Sequence, residues 1–124
     1  MQNPLPTRFE CIDPILRVEN MAASLRYYVD VLGFEAADWG SESFSHVGRD
    51  GRGIYLCRGG QGHPGAWVWI GVGDVRPLYE TYRERGAIIR QPPKKEPWAL
   101  EMQVEDPDGN VLRFGSDPED DGSP

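Results

Sequence analysis

The stretch Asp106-Pro107-Asp108-Gly109-Asn110, followed by Val111-Leu112-Arg113-Phe114, decides the fold of this chain. Pro fixes φ and Gly or Asn tolerates positive φ, so the first five residues predict a tight turn that leads into a short apolar strand. A weaker version, Asp50-Gly51-Arg52-Gly53 before Ile54-Tyr55-Leu56-Cys57, occurs in the first half of the chain. The two copies indicate a protein that is built twice from one unit.

The remaining elements follow the same order in both halves. The first half predicts a strand at 15–18, a helix capped by Asn20 and ended by Gly33, and strands at 34–36, 43–47 and 54–57. The second half predicts a strand at 67–72, a helix capped by Asp74 and ended by Gly86, and strands at 87–89, 101–104 and 111–114. Val18 and Val72 lie 54 residues apart, and Asp50 and Asp108 lie 58 apart. Such near-constant offsets are typical of an internal repeat.

The sequence therefore predicts an α+β protein of two βαβββ modules, at about 12–58 and 66–115, within a single domain at 1–115. Two such units side by side form an open, cupped, mixed sheet, whose concave face is a natural site for a ligand. Residues 116–124 are acidic and are expected to form a disordered tail. The alternative is an α+β domain in which the spacing is coincidental.

Composition excludes several classes of function. The 124-residue chain carries a net charge of −7, whereas nucleic-acid binding needs a basic face. Four of the negative charges lie in the tail, so the body keeps only about −3. No apolar run approaches the ~20 residues of a membrane helix, and no signal peptide is visible, so a cytoplasmic protein is expected. Cys11 and Cys57 have no metal or redox spacing and are expected to be buried thiols.

The chain resembles the vicinal oxygen chelate superfamily, whose members consist of paired βαβββ modules. The resemblance lies in Ile15-Leu16-Arg17-Val18, Ser24-Leu25-Arg26-Tyr27-Tyr28, Leu32-Gly33-Phe34 and the 106–110 turn. A closer likeness, to bleomycin resistance proteins, lies in Ala66-Trp67-Val68-Trp69, in Glu96-Pro97-Trp98 with Glu101, and in 106–114. Ala99 departs from those proteins, which usually carry Gly after the Trp. The superfamily includes metal-dependent glyoxalases, ring-cleaving dioxygenases and metal-free antibiotic-binding proteins, so the fold alone does not decide the function.

The positions at which metal-dependent members keep their ligands carry other residue types here. Counting from the repeats gives Asp13, Tyr55, Trp67 and Arg113. Indole has no lone pair to offer, and the guanidinium is always cationic. Divalent metals need several His or carboxylate ligands, so no metal and no other cofactor are expected. His46 and His63 have no partner at ligand spacing, and no catalytic residue is predicted.

Aromatic residues remain as the candidates for a binding cleft. The resemblance to resistance proteins places Trp39, Phe44, Trp67 and Trp98 in the cleft, and planar rings stack well on conjugated ligands. Trp67 and Trp69 point the same way, so core packing is the alternative for one of them. Glu101 and Arg113 are two further candidates, for a basic and an anionic ligand group respectively. The alternative for these two is a cross-strand ion pair.

The sequence thus predicts a small, metal-free binding protein that sequesters a drug-sized aromatic compound, of which a bleomycin-like antibiotic is the expected example. The resemblance implies a homodimer with two clefts at the subunit interface, and an open sheet with exposed edges fits that expectation. Two alternatives stay open at this point: a metal-dependent lyase or dioxygenase of the same superfamily, and a binding protein for another small molecule.

Overall fold

The computed structural model describes residues 6–118, which form eight strands, two α-helices and one π-helical segment. The first half comprises β1 (Ile15–Arg17), α1 (Met21–Arg26), a π-helical segment (Tyr27–Val31), β2 (Glu35–Ala36), β3 (Phe44–Arg49) and β4 (Arg52–Cys57). The second half comprises β5 (Trp67–Gly71), α2 (Val75–Glu84), β6 (Ile88–Lys95), β7 (Leu100–Glu105) and β8 (Val111–Ser116). Within 6–118 no helix combines the length and the apolar character needed to cross a membrane.

The two halves form two open four-stranded mixed sheets with the same strand order, β1-β4-β3-β2 and β5-β8-β7-β6. The first strand of each half pairs in parallel with the last, and the other pairs are antiparallel. The predicted α+β fold of two βαβββ modules is therefore confirmed.

Local sequence signals explain where the helices begin and end. Asn20 Oδ1 accepts a hydrogen bond from the Ala23 amide at 3.0 Å, and Asp74 Oδ1 accepts one from the Arg76 amide at 3.1 Å, as expected of N-caps. Gly33 at φ 82° follows the first helical region, where the left-handed conformation suits glycine. The π-helical segment after α1 has no signal in the sequence.

The DPDGN turn joins the two modules. Asp106 Oδ1 accepts from the amides of Asp108 and Asn110, which closes the turn. Asn110 then donates from Nδ2 to the Arg17 carbonyl at 3.1 Å and accepts from the Ala66 amide at 2.9 Å. One buried amide side chain thus fixes the first strand of each module to the same turn.

Tyrosines complete the shared core. The Tyr28 hydroxyl donates to Asp106 Oδ2 at 2.9 Å, and the Tyr82 hydroxyl donates to the Leu32 carbonyl at 2.6 Å. Each module thus has a tyrosine that donates a hydrogen bond to an acceptor in the other module. Burial raises the pKa of Tyr82 to about 12 and also raises the pKa of Asp106. Both tyrosines lie in a single apolar cluster with buried residues from both modules.

Three sequence predictions were wrong in detail. The strand predicted at 87–89 is longer in the structure, where β6 continues to Lys95, because an edge strand with register shifts tolerates prolines. Ser116, predicted as the start of the disordered tail, ends β8 and accepts a hydrogen bond from the Val75 amide. Cys11 is exposed, and only Cys57 is a buried thiol. Tail residues 119–124 lie outside the described residues.

Candidate functional site

The open face of the second sheet carries a group of side chains that we call the tryptophan face: Trp67, Trp69, Trp98, Arg90, Glu101, Gln103 and Arg113. Side chains alternate along a strand, so Trp67 and Trp69 share the face of β5 that points away from α2. Their exposed fractions are 53% and 49%, and that of Trp98 is 58%. Both tryptophans of β5 are therefore on the surface, and neither is in the core.

Glu101 is the centre of this face. Its carboxylate accepts from Arg113 Nε at 2.6 Å and Nη2 at 2.8 Å, which is a bidentate ion pair between β7 and β8. It also accepts from Trp98 Nε1 at 3.4 Å and from Gln103 Nε2 at 3.3 Å. The hydrogen bonds from Arg113 hold the pKa of Glu101 below its usual value, although burial acts in the opposite sense. Glu101 is consequently a buried carboxylate whose negative charge is neutralised by Arg113.

Two arginines of the face lie over indole rings. The guanidinium carbon of Arg113 is 5.3 Å from the centroid of the Trp69 ring, and that of Arg90 is 5.0 Å from the centroid of the Trp67 ring. Arg90 also donates to Gln103 Oε1 at 3.0 Å, and it lies 3.7 Å from a carboxylate oxygen of Glu105. Each of the two guanidinium groups thus has a carboxylate of the adjacent strand β7 as its counter-charge.

The open face of the first sheet carries a second aromatic group, the histidine face: Trp39, Phe44, His46 and Tyr55. Phe44 and His46 share one side of β3, and Tyr55 faces them from β4 because His46 pairs with Tyr55 in the register. The Phe44 and Tyr55 rings stack at 5.2 Å, and Trp39 lies 6.3 Å from both Phe44 and His46. His46 Nε2 is 3.3 Å from Asp13 Oδ2.

Two cavities border the sheets. The larger, of about 1000 Å³, lies between the modules and extends along the β5 edge. Its lining includes Phe34, Ile54, Val68, Ile70, Leu78 and Trp69. The smaller, of about 330 Å³, is lined by Trp69 and Trp98 among other residues. Pockets that bind drug-sized ligands measure roughly 300–1,000 Å³.

The predicted site residues fall into two groups. Trp39 and Phe44 come together on the histidine face, whereas Trp98, Glu101 and Arg113 come together on the tryptophan face, with Trp67 beside Arg90. No ring contact joins the two groups among residues 6–118, and neither cavity is lined by Trp39, Phe44 or Trp67. A cleft lined by all four predicted aromatic residues would need side chains from a second copy of the chain, or the two faces would have to lie closer together.

Sequence reasoning missed several members of these faces. The alternation of Phe44 with His46 was a signal for His46, and the same alternation made Trp69 a candidate beside Trp67. Arg90 had no signal, because β6 was predicted to end at residue 89 and its register is irregular.

The loop before β7 is a tight turn. The Glu96 amide donates to the Ala99 carbonyl at 2.9 Å, and the Ala99 amide donates to the Glu96 carbonyl at 3.3 Å. Ala99 is buried, so Trp98 is turned outward at the tip.

The positions that hold metal in enzymes of this fold do not fit a metal here. Asp13 is paired with His46, and Tyr55 packs its ring against that histidine. On the other sheet the equivalent positions are an indole and a guanidinium, neither of which can donate a lone pair. Over residues 6–118 no group of three or more His, Cys, Asp or Glu side chains is arranged to hold an ion.

A protein-family comparison matches residues 11–114 to the Glyoxalase/Bleomycin resistance protein/Dioxygenase superfamily. The chain belongs to this superfamily. No curated protein matches the chain.

Solved structures with the same fold include antibiotic-binding proteins. The bleomycin-binding protein of bleomycin-producing Streptomyces verticillus, complexed with copper(II)-bleomycin, is 26% identical with a TM-score of 0.76; the match covers 89% of this chain and 98% of that one. TnmS3, an antibiotic binding protein from Streptomyces sp. CB03234, is 21% identical with a TM-score of 0.77, covering 94% and 100%. TioX from Micromonospora sp. ML1 is 21% identical with a TM-score of 0.72, covering 88% and 97%.

Proposed function

We propose that this protein binds a drug-sized aromatic compound, with a bleomycin-like antibiotic as the first candidate, and protects a cell by sequestering it in the cytoplasm without chemical change. The observation that carries the proposal is the tryptophan face. Three tryptophans, each about half exposed, lie on one side of one sheet. Exposed apolar area concentrated in this way is typical of a binding surface.

The electrostatics of the face favour binding over catalysis. A general acid or base needs a titratable group that is available to the substrate and has a pKa near the working pH. Glu101 has the opposite character, since its pKa is lowered and both oxygens accept hydrogen bonds from Arg113. Arg113 has its pKa raised by the same bonds. The polar groups of the face are therefore committed to one another, and the rings are the parts that remain for a ligand.

We further propose that the binding unit is a homodimer. β5 is an edge strand whose outer side pairs with no described strand, and it carries no charged residue or proline to discourage pairing. Val68 and Ile70 on its inner side are only partly buried and border the larger cavity. A second copy that covered this edge would bury both residues.

The alternative of a binding protein for a different small molecule rests on the same rings, because stacking surfaces accept many conjugated compounds. Titration calorimetry with bleomycin, and in parallel with a polyaromatic antibiotic of unrelated structure, separates the two. Saturable heat with bleomycin supports the first proposal. Saturable heat with only the unrelated compound supports the alternative.

A further inference from the structure

We infer that Trp69 and Trp98 are the walls of a slot that receives one planar ring of the ligand, and that Gly115 and the Glu101–Arg113 pair set these walls without needing to touch that ring. This inference rests on the proposed function and names the part of the ligand that the tryptophan face recognises.

The slot is the smaller cavity. Its lining includes Trp69 and Trp98 together with Gly71, Gly115, Ser116 and Asp117. The two indoles make no ring contact with each other in the described part of the chain, so space is left between them. A volume of about 330 Å³ is at the lower end of the range for ligand pockets. It therefore fits one ring system rather than a whole glycopeptide.

Gly115 determines where the Trp69 ring lies. The ring lies directly over this glycine, because a Cβ atom built at position 115 would overlap Trp69 Cη2 and lie within 2.5 Å of Cζ2. Gly115 pairs with Gly71 on one side and with Glu101 on the other, so the backbone beneath the ring cannot move aside easily. Only glycine at this position leaves room for the indole to lie against this part of the sheet.

The Glu101–Arg113 pair acts on both walls. Trp98 Nε1 donates to Glu101 Oε1 at 3.4 Å, which ties the outer indole to the sheet. Arg113 fixes the same carboxylate and also lies over the Trp69 ring. The pair therefore holds both indoles at once, while its own opposite charges offset each other beside the slot.

The test is a double-mutant cycle on full-length protein, with variants Gly115→Ala, Trp69→Ala and the double variant. Near-ultraviolet circular dichroism of the ligand-free proteins reports the indole packing, and titration calorimetry with bleomycin reports binding. Gly115→Ala should alter the indole bands and weaken bleomycin binding about tenfold. In the Trp69→Ala background, the same substitution should have no further effect. The control is Gly60→Ala, since a Cβ at Gly60 meets nothing within 4 Å and its φ is not positive.

Each outcome decides the inference. Unchanged indole bands in Gly115→Ala, or a full tenfold loss in both backgrounds, would overturn it. If Gly115→Ala does not fold, the double variant should fold because the overlap is gone, and a double variant that also fails to fold would count against the inference. If wild type takes up no bleomycin, the proposed function fails for that ligand, whereas the circular dichroism comparison still decides the role of Gly115.

Discussion

Arg113 holds Glu101 through two hydrogen bonds of 2.6 and 2.8 Å between adjacent strands of the second sheet. The Glu101 side chain is 3% exposed, whereas the Arg113 side chain keeps 35% of its surface in water. The pair therefore combines a buried anion with a partly solvated cation, so loss of the arginine would leave the more costly unpaired charge.

Glu101→Gln should destabilise the fold by about 1–2 kcal/mol at neutral pH, because Arg113 loses its counter-charge but remains partly hydrated. The folded-state pKa of Glu101 lies below its ordinary value of 4.5. Its ionic contribution is therefore complete above about pH 4.5 and is lost as the pH falls through the folded-state pKa. Urea unfolding of wild type and variant at pH 7 and at about pH 3 should give a difference in the free energy of unfolding that shrinks in acid. A difference that is the same at both pH values would show that the ionised pair contributes nothing.

Trp98→Ala should weaken binding of bleomycin about thirtyfold, since truncation of a stacked tryptophan typically costs roughly 2 kcal/mol. The fold should survive, because Trp98 is 58% exposed. Calorimetric titration and thermal melts of both proteins give the two readouts. Phe9→Ala is the matched control, as Phe9 is an aromatic residue with 74% exposure outside both faces. Equal losses in the two variants would mean that Trp98 has no specific role.

Tyr28→Phe should destabilise the fold by about 1–3 kcal/mol, because it removes a hydroxyl that donates to Asp106 in the fully buried core. The carboxylate keeps the hydrogen bonds of the turn, so unfolding should remain a single transition. Urea titration measures the change. Tyr79→Phe on α2 is the control, since its ring is only partly buried against the core cluster. A Tyr28→Phe protein as stable as wild type would show that the two modules do not depend on this bond.

The protein should sediment as a dimer at micromolar concentration, because the β5 edge and the apolar lining beside it are otherwise left open. Sedimentation velocity over a range of dilutions measures this directly. A protein that stays monomeric throughout, and still binds its ligand, would mean that one chain supplies the complete site.

The repeated architecture could be predicted because its signals are local. Asn20 and Asp74 cap the helices that follow them, and the DPDGN residues close their own turn. The extent of β6 could not be predicted, because its continuation through Pro92 and Pro93 depends on its position at the sheet edge, which is a property of the whole sheet.

The candidate site was predictable only in part. Alternation along β5 places Trp67 and Trp69 on one face, but it does not say whether that face is covered; both are about half exposed. The Glu101–Arg113 pair was one of two alternatives from the sequence, and its bidentate geometry depends on the β7–β8 register. The contact between Gly115 and Trp69 had no local signal, since it joins strands that are distant in sequence.

The most direct test of the account is calorimetric titration of wild-type protein with bleomycin, followed by mass spectrometry of the ligand after release. We predict saturable binding with one ligand per chain, and we expect the recovered ligand to have an unchanged mass. Absence of saturable binding, or recovery of a chemically altered ligand, would contradict the account of this protein as a ligand trap.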